Sequence, residues 1–132
     1  MLNCATLRSK LALMRALVIG GLNVDFHFSY ESDPPDDGCE SLLSLSTAFG
    51  GHAGNCAVAL RKLGVETWVL GSVGNDVEGR ALLDDLSHHE IRTDLVFLDS
   101  QKTGTVLVAT SPSKQSMFMY RGANDSHQEI LF

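Results

Sequence analysis

The sequence has few cysteines and no pattern among them. Cys4, Cys39 and Cys56 are odd in number, widely spaced and without a C-x-x-C. That fits neither a disulfide framework nor a zinc site, and it points to a reducing cytoplasm. No uninterrupted apolar run approaches the ~20 residues that span a bilayer, so no membrane role is expected. Basic charge is short as well: 10 Lys and Arg face 16 Asp and Glu, a net charge of -6. A nucleic-acid or anionic-membrane binder needs a basic patch, which this balance argues against. A phosphorylated small molecule is still allowed, because backbone amides can hold one. No G-x-x-x-x-G-K-[ST] is present, which excludes a Walker-type phosphate loop. Gly20-Gly21 follows an apolar run, but G-x-G-x-x-G is missing and the next segment reads as a strand. That arrangement offers no helix N-terminus to a pyrophosphate. No metal site is expected either: His88 and His89 are adjacent, and adjacent residues do not share a helix face. No Ser/His/Asp arrangement is identifiable.

What is present is the composition of one ordinary soluble domain, 132 residues with 44% apolar and 20% charged. The first fifteen residues carry Arg8, Lys10 and Arg15 around a short Leu/Ala stretch, which breaks up any signal-peptide core. Met14 stands directly before the first convincing strand. Residues 1–14 are therefore expected to be an extension upstream of a natural start at Met14.

Ala16–Ile19 is a continuous apolar run and predicts a buried parallel strand. Phe26–Tyr30 alternates, with Phe26, Phe28 and Tyr30 on one face and Asp25, His27 and Ser29 on the other. Asp33–Gly38 is a loop signal, and Leu43/Leu45 predict a return strand running into Phe49-Gly50. A helix is expected from Gly54 to Leu63, with Cys56, Leu60 and Leu63 on its apolar face and Gly64 as its stop. Thr67–Leu70 predicts a buried strand, and Gly71–Gly74 a tight turn. Asn75 with Glu78 resembles a capping box for a helix to about His88. The apolar pairs of that helix are Val77/Ala81 and Leu82/Leu86. Strands follow at Leu95–Leu98, Thr105–Thr110 and Ser116–Tyr120, the last two joined by a hairpin at Ser111–Lys114. Arg121–Asp125 reads as a loop, and Ser126–Glu129 as the cap of a helix that begins at the chain's last residues. The order implies an α/β layer fold with an added β-flap.

Two segments carry candidate chemistry. Asn23 and Asp25 lie two apart, so an extended chain projects both from one face, at the C-terminal edge of a strand where open α/β sheets bind ligands. The carboxylate accepts while the amide both donates and accepts, which suits neighbouring hydroxyls. A turn-forming Asn and a capping Asp are the alternative on pattern alone. The second segment is Gly50-Gly51-His52-Ala53-Gly54-Asn55, between strand and helix. Its glycines permit close backbone approach, and the helix start supplies free N–H groups. By itself it is equally a plain β–α turn.

Taken in order, Leu17–Asp25, Phe49–Leu60 with Leu63-Gly64, Gly71–Asp76 with Gly79, Ile91–Asp94, Thr103-Gly104-Thr105 and Gly122-Ala123-Asn124 resemble the N-terminal part of ribokinase-like (PfkB) carbohydrate kinases. The resemblance implies a partial three-layer sandwich with a small β-sheet lid, its strands at about 25–49 and 105–120, within residues 15–132. It implies ATP- and Mg2+-dependent phosphorylation of a sugar or nucleoside hydroxymethyl group. Asn23, Asp25, Gly50, Gly51, His52 and Asn55 match substrate-binding positions, and Val106, Val108 and Met117 match apolar lid positions. Asp76 matches a helix-capping position. Lid strands of this family often pair between subunits, which implies a homodimer and would cover the Phe26/Phe28/Tyr30 face. Ribokinase proper commonly has Lys where His52 stands, which leaves the acceptor open. The family's catalytic Asp lies in a G-A-G-D segment that these 132 residues do not contain, nor do they contain the adenine-binding part. The chain is thus expected to hold the acceptor half of a kinase and to be inactive alone. A non-catalytic sugar-binding or dimerisation module, and an unrelated Rossmann-like nucleotide binder, are the other readings.

Overall fold

The computed structural model describes residues 14–32 and 38–129. In chain order the elements are β1 (Arg15–Ile19), β2 (Asn23–Tyr30), β3 (Leu42–Gly50), α1 (His52–Lys62), β4 (Glu66–Gly74), α2 (Val77–His88), β5 (Arg92–Asp99), β6 (Gly104–Thr110), β7 (Gln115–Tyr120) and a 3-10 segment, η1 (Gly122–Glu129). They form two sheets. The first is parallel, in the order β1-β4-β5, and the second is mixed, in the order β3-β2-β6-β7. Strand β2 is antiparallel to β3 but parallel to β6, so its two neighbours arrive by different routes. This is the expected α/β layer with a separate small sheet.

The core lies between the first sheet and the two helices. Val69 and Val73 of β4 meet Ala53 and Ala57 of α1 and Leu82 and Leu86 of α2, and Leu22 and Val24 close the end where the chain passes into the second sheet. Burial of such side chains supplies most of the folding free energy, at roughly 25 cal/mol per Å².

Strand β1 is less buried than its sequence predicts. Val18 packs on the core, but Leu17 and Ile19 point to the other face and are 51% and 48% exposed. Phe97 of β5 is on that same face and is also exposed. The sandwich is therefore partial: the described residues cover one face of the sheet with helices and leave much of the other open.

Several local expectations change for identifiable reasons. The apolar face of α1 is not Cys56/Leu60/Leu63. Its buried residues are Ala53, Gly54 and Ala57, while Cys56 and Leu63 are exposed. The helix starts so close to the β1–β2 connection that a Cβ on Gly51 would stand 2.3 Å from the Gly21 carbonyl oxygen, and the small Ala53 and Gly54 are buried there. Gly71–Gly74 is no turn but the end of β4. Gly71 is there because a Cβ would lie 2.7 Å from the Gly20 carbonyl oxygen. The cap of α2 is Asp76, which accepts from Gly79 N–H, and not an Asn75/Glu78 box. Val77 is exposed, whereas Leu82 and Leu86 are buried as expected. Gly122–Asn124 belong to η1 and not to a loop. The Ser111–Lys114 hairpin closes through Ser111 N–H to Lys114 C=O at 2.9 Å. The N-terminal extension up to Leu13, the Asp33–Asp37 part of the loop and Ile130–Phe132 lie outside the described residues.

Candidate functional site

The two glycine-bearing connections meet backbone to backbone. Ala53 N–H, in the first turn of α1, donates to the Gly21 carbonyl at 3.2 Å. Gly51 precedes the helix at φ +82°, and a Cβ there would stand 2.3 Å from that same carbonyl oxygen. Both the positive φ and the contact demand glycine. Gly51 therefore joins the two motifs, rather than simply exposing backbone to a ligand.

Asn23 and Asp25 open β2 on one face. Their neighbours on that face are Gly50 and Ala48 of β3, and Gly104 and Val106 of β6. Gly50 leaves room for the Asp25 carboxylate, since a Cβ would be 2.6 Å from Oδ2. The other oxygen, Oδ1, is buried with no hydrogen-bond partner among the described residues. Burial raises the Asp25 pKa above its ordinary value, and the nearby His27 opposes that shift. An unpaired buried carboxylate oxygen costs free energy.

A cavity of about 250 Å³ opens beside this strand end, lined by Gly21, Asn23, His52, Met119, Arg121 and Asn124. Of the expected substrate residues, Asn23 and His52 line it. Asp25 and Gly50 adjoin through β2 and β3 but do not line it, and neither does Asn55, which is exposed. Asn55 contributes its N–H to the Gly51 carbonyl at 3.0 Å. Val106 and Val108 are buried on the Asp25 face, while Met117 is exposed. Met119, two residues on and opposite Val106, takes the lining position. Arg121 and Asn124 were not singled out from sequence; only the Gly122-Ala123-Asn124 motif hinted at that end of the chain. Arg121 donates through Nε to Asp125 Oδ1.

Behind the site, Asp76 ties α2 to the start of β6. Its carboxylate accepts from Gly79 N–H at 2.8 Å, Thr103 N–H at 2.9 Å and Thr103 Oγ1 at 2.6 Å. Thr103 Oγ1 in turn accepts from Gly74 N–H at 2.9 Å. Burial pushes the Asp76 carboxyl up, but the Thr103 and Gly79 hydrogen bonds and the Lys102 charge together hold it below its ordinary value. Asp76 is thus structural. It places Gly104, the next residue after Thr103, against the Asn23 side chain.

Gly51 is turned onto the protein's own backbone. Among the described residues, no group of three His, Cys, Asp or Glu could hold a metal ion. No described helix is long and apolar enough to cross a membrane.

Comparison with known proteins bears on this arrangement directly. The chain is 30% identical over 109 residues to the ribokinase of Bacillus subtilis, covering 82% of this chain and 37% of the relative. It is 38% identical over 114 residues to the ATP-dependent 6-phosphofructokinase of Thermoanaerobacterium thermosaccharolyticum, covering 86% and 33%. The fold is similar to the nucleoside kinase of Methanocaldococcus jannaschii, an archaeal member of the ribokinase family. That match has a TM-score of 0.79 at 25% identity, over 90% of this chain and 40% of the other. It is similar also to Arabidopsis thaliana ribokinase complexed with ribose and ATP, with a TM-score of 0.78 at 25% identity, over 84% and 37%. The chain therefore spans little more than a third of the length of these proteins. Residues 14–132 match the pfkB family of carbohydrate kinases, and the chain belongs to that family.

Proposed function

We propose that this chain is the acceptor-binding part of an ATP-dependent kinase that phosphorylates a hydroxymethyl group of a sugar or nucleoside. The observation that carries the reading is one face of β2: Asn23 lines a cavity with His52, and two residues on, Asp25 Oδ1 is buried without a hydrogen-bond partner among the described residues. A carboxylate and an amide on one strand face are suited to a pair of neighbouring hydroxyls. Similarity to Bacillus subtilis ribokinase and to the ribose-bound Arabidopsis enzyme supports the same class.

In this reading Asn23 and Asp25 hold the hydroxyls, and His52 borders the sugar from the helix start. Val106, Val108 and Met117 belong to a lid made by the second sheet. When bound, ATP and Mg2+ would supply the phosphoryl group and neutralise its charge, which leaves mainly positioning to the protein. The residues for that donor side, and the catalytic base, are proposed to lie outside this sequence, which has no G-A-G-D segment. The exposed Cys39 and Cys56, both free, are consistent with a reducing cytoplasm.

A homodimer through the lid is part of the proposal. Leu45, Leu107 and Phe118 lie on the Phe28 face of the second sheet and are all exposed, a stripe suited to a second copy.

Calorimetry of the chain with D-ribose, D-fructose and adenosine tests the acceptor reading. Binding of one of them, weakened by Asp25→Asn, is expected. Binding that Asp25→Asn leaves intact would move the site elsewhere.

A further inference from the structure

We propose that Asn124 is a positioning residue for the acceptor site. It sets the orientation of the Asn23 side-chain amide, so that Asn23 presents a hydrogen-bond donor to the ligand. The inference rests on the acceptor reading above and deepens it.

The two ends of an Asn amide are almost the same size, so the surrounding hydrogen bonds decide which end points where. Here the chain of bonds begins at groups whose polarity is fixed. The Leu22 N–H can only donate, and it donates to Asn124 Oδ1 at 2.8 Å. The Leu22 carbonyl can only accept, and it accepts from Asn124 Nδ2 at 3.1 Å. One backbone residue therefore fixes both ends of Asn124. The same Nδ2 also donates to Asn23 Oδ1 at 2.8 Å. Asn23 is thereby committed to accept through Oδ1, and its Nδ2 has no partner among the described residues. That end is left for the cavity Asn23 lines.

Two glycines make room for the pair. A Cβ on Gly104 would stand 2.0 Å from Asn124 Nδ2 and 2.4 Å from Asn23 Oδ1. A Cβ on Gly21 would stand 3.3 Å from Asn124 Oδ1. Both asparagines are buried, so the bonds between them are shielded from water. The start of η1 delivers Asn124 by way of Ala123 N–H, which donates to the Lys102 carbonyl at 2.8 Å. The consequence for recognition is specific. The strand face offers one donor, Asn23 Nδ2, and two residues away one obligate acceptor, the Asp25 carboxylate. A diol matches that pair, one hydroxyl accepting and the other donating.

Nuclear magnetic resonance of the full 132-residue chain tests this without needing a turnover assay. The Asn124 side-chain amide protons should exchange on the order of tenfold slower than those of exposed Asn75. Exchange as fast as that of Asn75 overturns the proposal, and this measurement requires no variant to fold. In Asn124→Ala, the Asn23 amide signals should move to the exposed position, and a shift produced by D-ribose or D-fructose in the wild type should be lost. A merely structural role would lower the Tm and leave the Asn23 signals and their sugar response in place, which also overturns it. If none of D-ribose, D-fructose and adenosine shifts the Asn23 signals while the Asn124 amide stays protected, the acceptor reading fails and the amide orientation stands.

Discussion

The Asp25 carboxylate occupies the space that a side chain on Gly50 would need: a β-carbon on residue 50 would lie 2.6 Å from Oδ2. The two residues come from neighbouring strands, and each explains the other. The glycine provides the space, and the carboxylate fills it with one oxygen buried and unpaired.

Gly50→Ala should therefore act on Asp25 more than on the fold. The obstruction is the end of a side chain, which can rotate away, and not backbone. Acceptor affinity should fall on the order of tenfold with little change in Tm. Titration calorimetry beside thermal unfolding checks both, and a large loss of Tm with intact affinity would contradict the assignment.

Asp25→Asn should stabilise the unliganded protein while impairing ligand use. The folded pKa of Asp25 is raised, so its favourable contribution is complete below the unfolded value near 4 and is lost as pH rises through the folded value. At neutral pH the ionised carboxylate is a cost that Asn removes. The Tm should rise by a few degrees at pH 7 and not at pH 3, while binding loses about 1.5–3 kcal/mol. An unchanged Tm at pH 7 would count against the buried, unpaired oxygen.

Asp76 predicts the opposite acid behaviour. Its folded pKa is lowered, so its contribution is complete above the unfolded value near 4 and is lost as pH falls through the folded value. Asp76→Ala should cost about 2 kcal/mol at neutral pH and flatten the acid limb of the stability curve. Urea unfolding at pH 7 and pH 3 measures the difference, which should shrink at the lower pH.

The lid dimer has a direct test. Leu107→Lys with Phe118→Lys places charge in the middle of the exposed apolar stripe. Sedimentation equilibrium should show a wild-type dimer and a monomeric variant. A monomeric wild type at ~100 µM, well above the micromolar affinities of ordinary interfaces, would remove the dimer.

How far the site could be seen in advance depended on range. The alternation of Phe26–Tyr30 against Asp25, His27 and Ser29 is a local property of an extended chain, and β2 keeps it. The stop at Gly64 is likewise local, and Gly64 takes φ +93° after α1. The helix faces were harder. Cys56, Leu60 and Leu63 have helical spacing, but the face that reaches the sheet is chosen by how close the backbone at Gly20 and Gly21 comes. Periodicity cannot weigh a contact with a residue thirty or more positions away. Gly71 misled for the same reason: a glycine required by a neighbouring carbonyl looks in sequence like one required by a turn.

The sequence by itself determined the alternation of apolar and polar residues, the pairing of an amide with a carboxylate two residues apart, and the order of motifs that marks the family. Those are properties of composition and spacing along one chain. The tertiary structure alone decided which end of the Asn23 amide faces the cavity. That choice is made by Asn124, which lies 101 positions away and is held by the backbone of Leu22. An amide's orientation is set by what surrounds it, and nothing in the linear spacing of residues contains that information.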